Sequence, residues 1–388
     1  MKKIFRLILF IILLAINKVN AQQGNNDQSI VFEGTADAKY NGEYVHIYNN
    51  VLKEKHDSTI IANGKFSFTR PFKEPTRYMF YSSFEIRTKH GYSPFGILVD
   101  HPSVIHLDAD MDSFTKSKIT GSASQAVYDS YSAKTKTLQT AMMDKLYSKY
   151  GKAYVDSDNV DTSTQKFKSM MKDYYALSAD NKKESNKIAE GIIKQSPSSF
   201  ASILLLDNIC RDLTLPELEQ LYGSLSPKFK KGYFAQSIED NISGRKRSAI
   251  GNTVNDFALN DPKNNPLKFS SLRGKYVLID FWGSWCGPCH KAFPRLKELY
   301  GKYHDKGFEI LGIATESNIN AWTKDIVKSQ LPWPQMVDDK VNNVSQKLFA
   351  VTEYPTTVLI GPDGKIIGRF AFNEEDQRDQ KIASIFDK

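Results

Sequence analysis

Cys286 and Cys289 stand two residues apart in Trp285-Cys286-Gly287-Pro288-Cys289. Thiols at this spacing can close a disulfide and reopen it. The residues before them, Tyr276-Val277-Leu278-Ile279-Asp280-Phe281-Trp282, read as a buried strand, and residues 290–304 read as a helix. A CxxC at such a junction lies at a helix N-terminus, where the dipole favours a thiolate. The chemistry this predicts is thiol–disulfide exchange. The remaining cysteine, Cys210, lies in the apolar helical stretch 201–213 and reads as a small buried hydrophobe, ahead of a third redox thiol or an intermolecular bridge. Three cysteines are too few for a disulfide-stapled fold.

The elements that must position the pair occupy residues 248–388. Short strands at 256–259 and 267–269 suggest a leading hairpin, ahead of the strand at 276–282 and a helix over 286–304. A strand at 308–314 follows, then helices at 319–329 and 341–350. Strands at 356–360 and 366–370 flank Gly361-Pro362-Asp363-Gly364, a hairpin turn, and residues 380–386 form a closing helix. Strand–helix–strand followed by an antiparallel hairpin and a helix is an α/β order.

The rest of the chain differs in character, which makes the protein multidomain. Residues 29–120 are β-rich: Tyr44-Val45-His46-Ile47-Tyr48 and Lys65-Phe66-Ser67-Phe68-Thr69 alternate, and Asn63-Gly64 is a turn signal. Two further short runs, 96–99 and 104–107, support an antiparallel β-sandwich. His46, His56, His90, His101 and His106 lack metal-ligand spacing, so no metal is expected. Residues 121–247 read as a helical linker domain. Leu146, Tyr150 and Tyr154 share one helical face, and Leu215, Leu218 and Tyr222 another. Ser226-Pro227 opens a further helix, and Gly244-Arg245-Lys246-Arg247 reads as a solvated loop that ends the region.

Residues 1–21 read as a cleaved secretory signal. Lys2, Lys3 and Arg6 precede an apolar run at 7–16, and Val19-Asn20-Ala21 ends on a small residue. That run is shorter than the roughly 20 residues of a spanning helix, so anchoring by residues 4–16 is the second choice. The expected location is the periplasm or cell envelope. Lys2, Lys3, Arg6 and Lys18 supply half of the formal charge of +8, and no nucleic-acid motif accompanies the rest. No nucleic-acid partner is expected.

Asp280-Phe281-Trp282, the CGPC motif and Tyr354-Pro355-Thr356-Thr357 together resemble the thioredoxin superfamily, over residues 249–388. Ser271-Leu272-Arg273-Gly274-Lys275 and the extra stretch between 314 and Pro355 are similar to its exported TlpA/ResA group. The β-rich stretch resembles modules placed ahead of such domains in exported bacterial proteins. The resemblance implies a thioredoxin-like fold that reduces protein disulfides and serves redox homeostasis. Cys286 would attack and Cys289 resolve. Asp280 would be the buried carboxylate that takes the proton of Cys289. Pro355 would be the cis-proline beside the dithiol, turning the backbone of Tyr354 toward a partner strand. Trp285, Gly287, Pro288 and Tyr354 would border the substrate. Trp282 would pack, and Pro294 would fit a helix kink. The partners implied are exported proteins bearing disulfides and a membrane thiol donor that recharges the dithiol. One departure stands out: ResA-type proteins carry glutamate three residues after the second cysteine, often with a neutral residue where Asp280 stands. Here that later position is Ala292.

Other chemistries fit less of the sequence. Cys286-Gly287-Pro288-Cys289-His290 matches the c-type haem attachment pattern, with His290 as axial ligand, but that leaves Asp280 and Tyr354-Pro355 without a role. Neither haem nor another cofactor is expected. A thioredoxin-fold peroxidase needs Thr or Ser three residues before its reactive cysteine, where this chain has Gly283. A non-catalytic envelope binding module with a structural CxxC is a further alternative.

Overall fold

The computed structural model describes residues 28–339 and 342–387. The predicted leader at 1–21 and the first residue of the predicted helix at 341–350 lie outside the described residues. Two compact units divide the chain. One runs to Asp212 and includes Gln220–Gln236, and the other comprises Leu213–Glu219 and Ser237–Lys388.

The first unit opens with β1 (Ser29–Thr35), β2 (Tyr44–Asn49), β3 (Glu54–Ile60), β4 (Lys65–Pro71) and β5 (Thr76–Ser82). Helix α1 (Ser83–Lys89), β6 (Phe95–Val99), β7 (Ser103–Asp108) and β8 (Lys118–Thr120) follow. They make two four-stranded sheets, β4-β1-β7-β8 and β3-β2-β5-β6. Alternation along the strands sends Phe32, Phe68, Phe80, Val45, Ile97 and Ile105 into one core. The short strands predict antiparallel pairing throughout, and the structure departs from this at one pair. β1 and β7 run parallel, with Phe32 opposite Ile105. They are distant in sequence, so no tight hairpin dictates their direction. Asn63 and Gly64 have φ of 52° and 68°, the left-handed backbone of a tight turn.

The helices of this unit are α2 (Ala123–Tyr150), α3 (Lys152–Val155), α4 (Gln165–Gln195) and α5 (Phe200–Ile209). Side chains at the start of α2 tie it to β6. Ser122 donates to the Leu98 carbonyl at 2.7 Å, and the Leu98 N–H donates to Gln125 Oε1 at 2.9 Å. Leu146 and Tyr150 are buried with Met170, and Tyr154 joins them from beyond a break at Gly151, whose φ is 87°. Cys210 is buried at the end of α5, and its thiol donates to the Asp207 carbonyl at 3.1 Å.

Helices α6 (Leu215–Ser224) and α7 (Tyr233–Arg247) follow, with only a 3-10 turn at Pro227–Phe229 between them. The run Gly244-Arg245-Lys246-Arg247 is therefore helical, not the loop its composition predicted. Three cations suit the negative end of a helix dipole. Gly244 also packs so closely that an added Cβ would meet the Gln346 carbonyl at 2.6 Å.

The second unit carries β9 (Ala258–Asn260), β10 (Pro266–Lys268), β11 (Tyr276–Trp282), α8 (Gly287–Tyr303), β12 (Phe308–Thr315) and α9 (Ile319–Lys328). It closes with β13 (Gln335–Asp338), α10 (Val344–Phe349), β14 (Thr356–Ile360), β15 (Ile366–Ala371) and α11 (Glu375–Phe386). The sheet order is β10-β9-β13-β12-β11-β14-β15. β11 lies inside it, parallel to β12 and antiparallel to β14. Strands covered on both faces read as continuous apolar runs, which is why β11 and β12 were legible. β13 has only four residues and was not predicted. α11 starts five residues earlier than the predicted closing helix. Among the described residues no helix is long and apolar enough to cross a membrane.

Candidate active site

Strand β11 sorts its side chains by parity. Val277, Ile279 and Phe281 join one apolar cluster, while Leu278 and Trp282 join the other, which contains Cys286, Cys289 and Phe293. Asp280 has the parity of Leu278 and Trp282, so its carboxyl projects into the layer beneath the cysteines. Trp282 is buried there, edge-on to Phe293 with ring centres 5.3 Å apart.

Cys286 and Cys289 form a disulfide. Cys286 is the N-cap of α8, and the Cys289 N–H donates to its Sγ at 3.2 Å. The group that would carry thiolate charge therefore lies at the positive end of a 17-residue helix. Pro288, in the first turn, needs no N–H partner there. Gly287, Pro288 and Trp285 are exposed, whereas Cys286 and Cys289 are 3% and 1% exposed. Pro294 lies inside α8.

The bond between Tyr354 and Pro355 is cis. Tyr354 meets Trp285 edge-on at 5.2 Å, and Thr315 holds both rings. Its carbonyl accepts from Trp285 Nε1 at 3.1 Å and its hydroxyl from the Tyr354 phenol at 2.8 Å. All eight residues singled out from sequence thus belong to one region at the C-terminal end of β11, where α/β sheets commonly place a site.

Sequence reasoning missed three neighbours. Glu316, just beyond β12, accepts from the Ser284 N–H at 3.2 Å and its hydroxyl at 2.5 Å, and from the N–H groups of Ser317 and Asn318. Burial alone would raise its carboxyl, but the Ser284 hydroxyl and these N–H groups outweigh burial and hold it below the usual range. Glu316 thereby pins the loop leading to Cys286. An acid directly after a parallel strand beside the CxxC was the available signal. Thr315 was the second. The third is Asp325 on α9, whose Oδ2 lies 2.6 Å from His290 Nε2 and engages that ring. Gly283 is also constrained, because an added Cβ would meet the Trp285 indole at 2.6 Å.

Asp280 is 1% exposed, and its Oδ2 has no hydrogen-bond partner. Burial raises its carboxyl from 3.8 to about 7, against the pull of Arg378 and with a push from Glu375. Such an acid can hold or release a proton at neutral pH beside the cysteines.

This geometry defines a thioredoxin-like fold carrying a disulfide between Cys286 and Cys289. Residues 250–369 match the AhpC/TSA family, and residues 30–128 match a domain of unknown function, DUF4369. The thiol-disulfide oxidoreductase ResA of Bacillus cereus is 30% identical over 147 residues, 38% of this chain and 79% of that protein. ResA of Geobacillus thermodenitrificans is 36% identical over 121 residues, 30% of this chain and 67% of that protein. A solved thiol-disulfide oxidoreductase from Bacteroides fragilis is 33% identical, covering 33% of this chain and 97% of that one, with a TM-score of 0.31. Through its C-terminal region the chain belongs to the ResA-like thiol-disulfide oxidoreductases.

The raised carboxyl predicts a signed effect on stability. Below about pH 4 Asp280 is protonated in both folded and unfolded chains and adds no ionisation penalty. As pH rises from about 4 to about 7 the unfolded acid ionises first, and the fold loses up to about 4 kcal/mol, constant above that. Asp280→Asn should therefore raise the urea midpoint at pH 8 and barely change it at pH 4. All four tryptophans (Trp282, Trp285, Trp322 and Trp333) report on this unit by fluorescence. An equal gain at both pH values would contradict the assignment.

Proposed function

We propose that this oxidoreductase reduces disulfides of exported proteins through Cys286 and Cys289. The observation that carries the reading is the buried Asp280 carboxyl, unpartnered at Oδ2, in the layer under the disulfide. In the reduced enzyme the Cys286 thiolate attacks a substrate disulfide. One substrate sulfur leaves as a thiolate and the other forms a mixed disulfide with Cys286. Cys289 then gives its proton to Asp280 and attacks the Cys286 sulfur. The second substrate sulfur leaves, and two electrons have passed from the dithiol to the substrate.

Trp285 and Tyr354, held by Thr315, border the approach to Cys286 together with Gly287 and Pro288. The cis-Pro355 presents the backbone before it as an edge on which an extended substrate segment can pair. We assign residues 1–21 to export and the cell envelope to the mature chain. A membrane dithiol would return the electrons, because a reductase in an oxidising compartment must be recharged. We divide the mature chain into a β-sandwich at 29–120, a helical region at 121–247 and the catalytic domain at 248–388. The first two would govern placement or choice of partner.

The peroxidase alternative needs a hydroxyl side chain at Gly283, and the Trp285 indole occupies that space. The haem reading needs His290 as a ligand, and that imidazole is engaged by Asp325.

Insulin reduction should fall to background in Cys286→Ser. Cys289→Ala should accumulate mixed disulfides, visible as thiol-sensitive adducts on non-reducing gels. Asp280→Asn should keep the first attack but slow release by roughly 10²- to 10⁴-fold. Release at the wild-type rate in Asp280→Asn would sink the proton-acceptor role, and insulin reduction by Cys286→Ser would sink the dithiol mechanism.

The direction of electron flow has its own test. The equilibrium potential against glutathione should lie nearer the roughly −270 mV of thioredoxin than the roughly −120 mV of a strongly oxidising dithiol protein. A value near the latter would overturn the reductase assignment.

A further inference from the structure

The last helix brings buried charge to the acid. Arg378 is 2% exposed. Its Nε donates to Asp379 Oδ1 at 2.8 Å, and its Nη2 is buried without a hydrogen-bond partner. Glu375, one turn earlier on α11, likewise buries Oε1 with no partner. Ile382, one turn later, packs into the cluster that holds Leu278, Trp282 and both cysteines. One face of α11 thus lies against the face of β11 that carries Asp280.

A buried guanidinium is costly unless opposed by negative charge, and a single neighbouring aspartate satisfies only part of its fork. That aspartate is itself shared. Arg295 of α8 also donates to Asp379, pairs with Asp376 at 2.6 Å and lies 4.0 Å from Glu375 Oε2. Charges therefore alternate inward from Asp376, which is 82% exposed, through Arg295 and Asp379 to Arg378. Across the sheet, the register partners of Asp280 are Gly312 and Thr357, which carry no charge. From α8 the groups in question are the Cys289 thiol and Arg295. From α11 they are Arg378, Glu375 and Asp379.

We propose that Arg378 and Glu375 are opposed positioning residues that set the charge state of Asp280 and tie it electrostatically to the ion pairs of Arg295. Arg378 favours the carboxylate and Glu375 the neutral acid, in keeping with the directions in which each moves the Asp280 carboxyl. Their balance keeps Asp280 able to take up and return a proton near neutral pH. The inference deepens the proposed mechanism and rests on its choice of Asp280 as proton acceptor.

The test titrates Asp280 in the full chain by carbon-13 NMR of its carboxyl, assigned by the signal lost in Asp280→Asn. Arg378→Met should move the titration upward by roughly one pH unit, and Glu375→Gln should move it downward. Arg378→Lys should restore most of the wild-type value. The pH at which half the maximal rate of mixed-disulfide release is reached should follow the same order. A purely structural role would lower the melting temperature without opposite titration shifts. Shifts of the same sign, or none, would overturn the proposal. Should Arg378→Met not fold, a downward shift in Glu375→Gln still supports the proposal, and an upward shift or none overturns it. Opposite shifts with normal release in Asp280→Asn would leave this electrostatic pair intact and remove the proton-acceptor role instead.

Discussion

The site depends on one costly act, the burial of the Asp280 carboxyl in the layer that holds the disulfide. A thiol has an ordinary pKa near 8.5 and a solvated aspartate one near 3.9. Moving a proton from the first to the second would be uphill by about 6 kcal/mol. With the carboxyl raised to about 7, the gap falls to about 2 kcal/mol. That difference separates an acid unable to deprotonate a neighbouring thiol from one able to do so transiently. The same burial destabilises the fold above neutral pH, so the acid persists at the expense of stability.

The fold is arranged to enforce that burial. β11 has neighbours on both sides, and both of its faces are covered. A one-residue shift of register would send Asp280 into the opposite apolar cluster, away from the dithiol. Above the strand, the helix N-terminus would favour a thiolate at Cys286, while in the proposed mechanism the buried layer would receive the proton of Cys289. The two sulfurs thus meet opposite electrostatic surroundings within one turn. Glu316 holds the approach loop, Thr315 holds the two bordering rings, and Gly283 leaves room for Trp285.

Much of this was legible because local rules and tertiary demands agree there. β11 is an apolar run broken by one acid, Gly361-Pro362-Asp363-Gly364 is a turn, and Cys286 precedes an amphipathic helix. The parts that stayed hidden are those in which distant chain segments decide. The parallel pairing of β1 with β7 joins strands with most of the β-rich region between them. Gly244-Arg245-Lys246-Arg247 resembles solvated loop by composition, while its helical state comes from a continuing helix and a close contact at Gly244. Arg378 sits in the charged run Glu374-Glu375-Asp376-Gln377-Arg378-Asp379, just ahead of the predicted closing helix at 380–386. Only the packing of α11 shows which of those charges is buried.

The departure at Ala292 now has a physical setting. ResA-type proteins are expected to carry their acid on the helix, one turn beyond the second cysteine. In this chain that position is a small apolar residue, 3% exposed, and the buried acid lies on the strand beneath instead. A strand-borne acid looks toward whatever packs on the sheet. That places the last helix, with Arg378 and Glu375, among the determinants of proton affinity. Membership of the same family therefore carries over the dithiol and its fold, but the acid–base chemistry has to be argued from the charges surrounding Asp280.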